Sequence, residues 1–426
     1  MHDVAIIGGG PAGSTAAALL AAAGRDVVLF EKERFPRFHI GESLLPYNLD
    51  LFRRLGVLEA LEGRFVEKWG ARLYCTDGST NRYVEFKEGF VPGHPYAFQV
   101  LRSEFDTMLL NNARAKGAQV HEATRVVEAA PSARDGCRLT IRRADGTLSE
   151  ETARFLLDAS GRDAFMAGKR SLRDMTPHLR KAAVFAHYEG IPRGEGRYAG
   201  DIVMVVLRDG WIWMIPLPEG RTSVGLVMEG STLRQLALPP EKLLEEALRR
   251  APAAHERVKN ARRVSEVYSA SDYSYECREI AGDGYLLLGD AAAFIDPIFS
   301  TGVWLAMSSG EMAADALHAA LGTSPQAADL SPRVFADFAR KVRHHVRTYT
   351  RIVSRFYEPG FMDIFLRPSA RFRVRESVIS LLAGNSEPSL AVRLRLAYFY
   401  SVLRIHRRFR LTPPVTLYKV LEGPPA

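Results

Sequence analysis

The chain opens on a segment that leaves few folds available. Asp3-Val4-Ala5-Ile6-Ile7-Gly8-Gly9-Gly10-Pro11-Ala12-Gly13 is followed by small residues and then by Val27-Val28-Leu29-Phe30-Glu31-Lys32. An apolar strand, a Gly8-x-Gly10-x-x-Gly13 turn, a small-residue helix over Ser14 to Ala23 and a second strand ending in an acid make a βαβ unit that binds a dinucleotide. The first glycine permits the tight turn and the second lets backbone approach a pyrophosphate. The third lets helix and strand pack closely, so that the helix N-terminus, from Pro11 and Ala12 to Ser14, faces the phosphate charge. Glu31 stands where a carboxylate accepts hydrogen bonds from both ribose hydroxyls.

A chain of 426 residues, 47% apolar and 25% charged, is expected to be a globular protein with two domains that share a core. A strand beginning at residue 3 predicts no signal peptide, and no uncharged apolar stretch reaches the length of a membrane span. Cys75, Cys137 and Cys277 lie far apart and form no Cys-x-x-Cys pair, so they read as reduced thiols of a cytoplasmic protein without a metal site. The net charge of +8 is uneven: from Arg340 to Arg410 there are sixteen Lys/Arg against four Asp/Glu. Such a stretch suits an acidic partner, an anionic membrane face or a solvated helical face. No signature of nucleic-acid recognition accompanies it.

Along the chain, Tyr47 to Leu61 has helical periodicity, with Leu49, Phe52, Leu55 and Leu58 on one side. Strand patterns follow at Ala71–Cys75, Arg82–Phe86 and Tyr96–Leu101, and Ser103 is expected to cap a helix through Ala115. Short strands at Gln119–His121 and Thr124–Glu128 precede a hairpin formed by Arg138–Arg142 and Glu150–Phe155. Phe155-Leu156-Leu157-Asp158 returns the chain to the first domain. Lys181 to Val227 carries at least three strand patterns, and Tyr285 to Gly289 is another apolar strand, running into Gly289-Asp290. Beyond Gly302 the pattern is predominantly helical to the end.

Gly289-Asp290-Ala291-Ala292, an acid at the C-terminal end of a strand with small residues opening a helix, suits a sugar-chain hydroxyl beside a phosphate. With the glycine turn and Arg102 in Leu101-Arg102-Ser103-Glu104-Phe105-Asp106, it resembles the FAD-dependent aromatic hydroxylases and their relatives. Three further segments narrow the resemblance to the flavin-dependent halogenases. These are Gly41-Glu42-Ser43-Leu44-Leu45-Pro46, the Trp-x-Trp-x-Ile-Pro segment Trp211-Ile212-Trp213-Met214-Ile215-Pro216, and Asp296-Pro297-Ile298-Phe299-Ser300-Thr301-Gly302-Val303. Two tryptophans two apart on a strand point to one face. Together these segments resemble the halogenases over about residues 3 to 320.

That resemblance implies an α/β fold in which a Rossmann-type FAD-binding domain (1–70, 97–165 and 281–325) is interleaved with a β-sheet substrate domain (71–96 and 166–280). A basic helical region (326–426) follows. It implies FAD contacts at Gly8, Gly10, Pro11, Ala12, Gly13, Ser14, Glu31, Lys32, Arg37, Gly41, Glu42, Ser43, Arg102, Val126, Asp290, Pro297 and Gly302. Halide would sit at the N–H groups of Thr301 and Gly302. Lys68, in Glu67-Lys68-Trp69-Gly70, stands where the family's catalytic lysine is expected, with Trp211 and Trp213 between it and the flavin; a lysine there is a hydrogen-bond donor or a nucleophilic amine. No metal is implied.

Reduced FAD, oxygen and chloride or bromide would be the co-reactants. Because no second glycine-rich turn follows a strand, a separate flavin reductase would supply the reduced flavin. Trp304 departs from the histidine of many relatives, and the chain lacks the insertions that enclose free tryptophan. A phenol or pyrrole, possibly tethered to an acidic carrier protein, is therefore the expected substrate. A flavin monooxygenase or dehydrogenase without halogenation, and an idle flavoprotein that docks a carrier, stay open at this point.

Overall fold

The computed structural model describes residues 1–323, 328–367 and 371–421. The apolar runs assemble into two sheets. In the first, Tyr285–Leu287, Leu148–Asp158, His2–Ile7, Val27–Phe30 and Gln119–His121 lie side by side and parallel. The strand ends Val4–Ile7, Val27–Phe30 and Phe155–Asp158 are buried without alternation, as central parallel strands covered on both faces must be. The helix Pro11–Ala22 is almost wholly buried. The helix Gly302–Leu321 crosses it at Gly310, where a Cβ would stand 2.5 Å from the Ala12 carbonyl oxygen, so only glycine permits this approach.

The second sheet runs Ala293–Phe294, Tyr268–Cys277, Arg173–Glu189, Arg221–Glu229, Gly210–Pro216, Ile202–Val206, Gly70–Tyr74, Asn81–Glu85. Alternation along Gly210–Pro216 sends Trp211, Trp213 and Ile215 into the core shared with the nucleotide sheet. Ile212 and Met214 go into a separate core under the helix Pro240–Arg250. One sheet face therefore belongs to the site and the other to stability.

Several elements differ from expectation. Tyr47 to Leu61 is two helices, Asn48–Leu55 and Leu58–Glu62, because Gly56 at φ +73° ends the first in the left-handed region. The next helix begins at Arg102, with Leu101 as its N-cap, and Ser103 lies inside it. The strand expected at Thr124–Glu128 is Arg125–Ser132. The C-terminal region is helical over Ala336–Phe356, Phe361–Phe365, Val374–Leu382 and Leu390–Phe409, but not to its end. Residues 411–421 form a tail that returns to the second sheet. There Tyr418 N–H donates to Thr76 Oγ1 at 3.1 Å, Arg208 N–H donates to the Tyr418 carbonyl at 2.9 Å, and Val420 is buried. Cys75, Cys137 and Cys277 are free and buried, and no cluster of potential metal ligands occurs among the described residues.

Candidate active site

A cavity of about 520 Å³ opens where the parallel strands end, at Ile7, Phe30, Ala159 and Leu288, the usual ligand crevice of such sheets. Gly8 takes φ +100°, and a Cβ there would sit 2.4 Å from the Ala159 carbonyl oxygen. Gly10 has ordinary extended backbone, and a Cβ on it would meet only Arg37, at 3.6 Å. Its lack of a side chain thus leaves room in the cavity, where Pro11 and Ala12 also form wall. Gly13 and Ser14 do not line the cavity. A Cβ on Gly13 would collide with the Gly8 carbonyl oxygen at 2.0 Å, and Ser14 Oγ donates to the Gly9 carbonyl at 2.7 Å, so both support the turn from behind.

The Glu31 carboxylate accepts from Gly9 N–H at 2.7 Å and from Glu33 N–H at 2.9 Å. Each oxygen keeps a second lone pair for a ligand hydroxyl. Lys32, on the same wall, pairs with Asp163 at 2.5 Å, and Val126 lines the wall as well. Arg102 forms two bonds to Asp106, at 2.8 and 2.9 Å, and donates to the Ile40 carbonyl at 2.6 Å. Arg37 Nη1 lies 3.1 Å from the same buried carboxylate but has no aligned hydrogen-bond partner among the described residues. Arg37 Nε also lies 3.2 Å from the Glu33 carboxylate, and burial, with Arg102 beside it, lowers the neighbouring His39 to about 3, so it is neutral. An orphaned buried donor, two guanidiniums and a glycine-made gap fit a dinucleotide diphosphate.

Gly41, Glu42 and Ser43 line the cavity on the far side of Arg102. Glu42 Oε1 is 2.8 Å from His187 Nε2, while its Oε2 is buried without a hydrogen-bond partner among the described residues. Asp290, Pro297 and Gly302 complete the wall. Asp296 caps the turn after it by accepting from Ile298 N–H at 3.0 Å, and Ser300 at φ +58° turns the chain into the 20-residue helix Gly302–Leu321. A Cβ on Gly302 would meet nothing within 4 Å, so the helix N-terminus opens toward the cavity, where its unpaired N–H groups suit an anion. Thr301 itself does not line the cavity; its side chain is buried and its Oγ1 has no partner among the described residues.

Trp211 and Trp213 close the opposite wall with ring centroids 5.6 Å apart. Trp213 Nε1 donates to Ser223 Oγ at 3.1 Å, and its ring lies flat on Gly225, where a Cβ would be 2.2 Å away. Trp211 Nε1 donates to Tyr357 Oη at 3.0 Å, and that hydroxyl donates to Asp296 Oδ2 at 2.8 Å. The helical region thereby ties the tryptophan strand to the turn before Gly302. Sequence reading passed over Tyr357, Gly225, Asp106 and His187, because Tyr357, Gly225 and His187 act through partners on other elements and Asp106 through Arg37 as well as its helix neighbour Arg102.

Lys68 ends the strand Val66–Lys68, which pairs with Ala97–Gln99. Gln99 in turn bridges to Ser43, and this ladder carries the lysine to the flavin-side loop. Its Nζ donates to Ser43 Oγ at 2.9 Å and to the Leu44 carbonyl at 3.1 Å, and lies 5.2 Å from the Phe86 ring centroid. Gly200 packs directly on this strand, where a Cβ would stand 1.9 Å from the Glu67 carbonyl oxygen. Lys68 therefore does not line the cavity; Ser43, which it holds, does. Burial lowers its pKa from 10.5 to about 7, against the opposing pull of the Asp201 carboxylate.

Residues 1–330 match the FAD binding domain family. The chain is 29% identical over 407 residues, 90% of its own length and 89% of the relative's, to a 1H-pyrrole-2-carbonyl-[peptidyl-carrier protein] chlorinase of Pseudomonas fluorescens. It is 33% identical, over 75% of its length and 78% of the relative's, to the corresponding brominase of Pseudoalteromonas luteoviolacea. The solved structure of the flavin-dependent brominase Bmp2 superposes with a TM-score of 0.84 at 26% identity, covering 96% of this chain and 99% of that one. With its nucleotide crevice and these relatives, the chain belongs to the FAD-dependent halogenases, enzymes that use reduced flavin, oxygen and halide to halogenate aromatic compounds.

Proposed function

We propose that this halogenase acts on a pyrrole or phenol carried by an acidic carrier protein, in the cytoplasm, with reduced flavin delivered by a separate reductase and with Lys68 as its halogen-transferring residue. The observation that carries the reading is the Lys68 amine, desolvated to a pKa of about 7 and held by Ser43 and Leu44 directly behind the cavity wall. With oxygen, bound reduced flavin supplies the oxidant that turns halide into hypohalous acid. Halide is held at the N-terminus of Gly302–Leu321. Trp211 and Trp213 wall the cavity from bulk solvent and from the aromatic substrate, so the oxidant leaves as hypohalous acid. The neutral Lys68 amine attacks the halogen of that acid, an N–halogen bond forms, the O–halogen bond breaks and water departs with the amine proton. An electron-rich ring carbon then takes the halogen and returns a proton to the amine.

The carrier reading rests on two supports. The first is the pair of relatives named for carrier-bound pyrrole. The second is the helix Leu390–Phe409, which has no Asp or Glu and leaves Leu390, Leu394 and Phe409 at least 63% exposed in one stripe flanked by Arg393, Arg404 and Arg408. Self-pairing of this stripe would set arginine against arginine, whereas an acidic helix would match it.

The test is to incubate the protein with a flavin reductase, NADH, FAD and bromide, and with pyrrole-2-carbonyl carrier protein or a free phenol. A brominated mass that appears only with bromide supports the reading; flavin reoxidation without product removes it. Tethered substrate should be turned over faster than free, with an advantage that shrinks as salt rises past about 0.1 M, where the screening length is about 10 Å.

A further inference from the structure

A second cavity, of about 100 Å³, lies between the edge strand Asn81–Glu85 of the second sheet and the helices Phe361–Phe365, Val374–Leu382 and Leu390–Phe409. It has room for roughly seven to ten water molecules, and hence for one substituted aromatic ring. Its walls are apolar: Val84, Phe365, Val378, Phe399 and Val402. Among the described residues, its only charged lining residues are Arg82 and Arg375.

These two arginines are under-satisfied. Arg82 Nη2 and Arg375 Nε are buried and have no hydrogen-bond partner among the described residues. Arg375 spends its other end on an ion pair with Glu88, and burial followed by the nearby Arg375 charge holds the Arg82 guanidinium below its usual value, against the pull of Glu88. Two part-buried cations beside one carboxylate leave an excess positive charge, and each has one buried donor left unpaired among the described residues. A bound carboxylate or phosphate would satisfy both donors and cancel the charge. The apolar walls require that this anion carry an apolar body.

The strand gives the cavity a direction. Arg82 and Val84, two apart on Asn81–Glu85, both line it. Two residues further on, the Phe86 ring stands 5.2 Å from Lys68 Nζ. We infer that this cavity anchors the aromatic substrate, with its anionic group, carboxylate or phosphate, between Arg82 and Arg375 and its ring directed along the strand toward Phe86 and Lys68. The direction of the ring rests on the reading of Lys68 above; the anion site does not.

Equilibrium binding and thermal melting of the flavin-free full chain test it with three probes: pyrrole-2-carboxylate, the pyrrole-2-carbonyl thioester of pantetheine 4′-phosphate, and neutral pyrrole-2-carboxamide. The anions should raise the melting temperature and the carboxamide should not. Arg82→Met should weaken anion binding at least tenfold, and so should Val402→Trp, which fills the cavity. Arg82→Met removes a part-buried cation that stands beside the Arg375 charge, so its ligand-free melting temperature should change little. Tighter binding of the free acid assigns the anion to a free substrate, and tighter binding of the thioester assigns it to a carrier arm. Equal binding of anions and carboxamide, or anion binding unchanged in both variants, overturns the site. Because no turnover is involved, a chain that binds these anions but brominates nothing keeps this site and loses the halogenation reading. One that brominates while Arg82→Met binds unchanged does the reverse.

Discussion

The two sides of the main cavity are built by opposite means. The nucleotide side is made by backbone and by residues near each other in the chain: Gly8, Gly10 and Gly13 within one turn, and Glu31 one strand later. The lysine side is made by desolvation. Lys68 is held by Ser43 and Leu44, faces Phe86 and feels Asp201, and the Gly200 backbone seals its strand. Gripping a cofactor needs shape and N–H groups, which glycine supplies locally. Tuning an amine needs the removal of water, which several distant segments must achieve together.

The contrast can be broken most directly at Lys68. Lys68→Ala should lower halogenation on the order of a thousand-fold while leaving FAD affinity within a factor of about two, because the lysine stands behind the wall and not on it. Lys68→Arg should fail likewise, since a guanidinium stays protonated. Product formation and flavin titration, measured side by side, check both; a halogenating Lys68→Ala enzyme would remove the assigned role. Gly10→Val should show the reverse pattern, weakening FAD binding by about a hundred-fold as the side chain fills the gap over Arg37. Flavin absorbance retained on gel filtration reads this out.

The pH dependence sharpens the comparison. A lysine lowered to about 7 is protonated below that pH, so turnover should fall about tenfold per unit as pH drops from 7 toward 5.5. In stability the sign is set by the folded value lying below the unfolded one. The unfolded chain binds the extra proton between about 7 and 10.5, so the penalty for burying the amine is full below about 7 and is relieved as pH rises through that window. Lys68→Met should flatten this slope in denaturant melts at a series of pH values.

The smallest effect belongs to the link between regions. Tyr357→Phe removes the hydroxyl that joins Trp211 Nε1 to Asp296. It should cost about 1–2 kcal/mol of stability and raise leakage of free hypohalous acid a few-fold, seen as bleaching of a scavenger dye. Unchanged leakage would make Tyr357 a packing residue only.

What the sequence determined by itself follows from chemistry that is local along the chain. The βαβ unit, the buried parallel strands and FAD as the cofactor were all legible, because a glycine turn, an apolar run and a strand-end acid carry their meaning within about thirty residues. The shared face of Trp211 and Trp213 was legible for the same reason, since side-chain alternation needs no partner. The break at Gly56 and the return of the tail to Thr76 were not legible, for periodicity continues past Leu55 and nothing near Tyr418 names its partner.

Only the tertiary structure decided which residues face the cavity. It put Gly13, Ser14, Thr301 and Lys68 behind the wall, and brought Asp106, His187 and Tyr357 to its support. It also left Arg82 and Arg375 together without enough acceptors. Burial and pairing are set by segments that meet across hundreds of residues, and a side chain's charge, reach and pKa depend on that meeting and not on its neighbours in the chain.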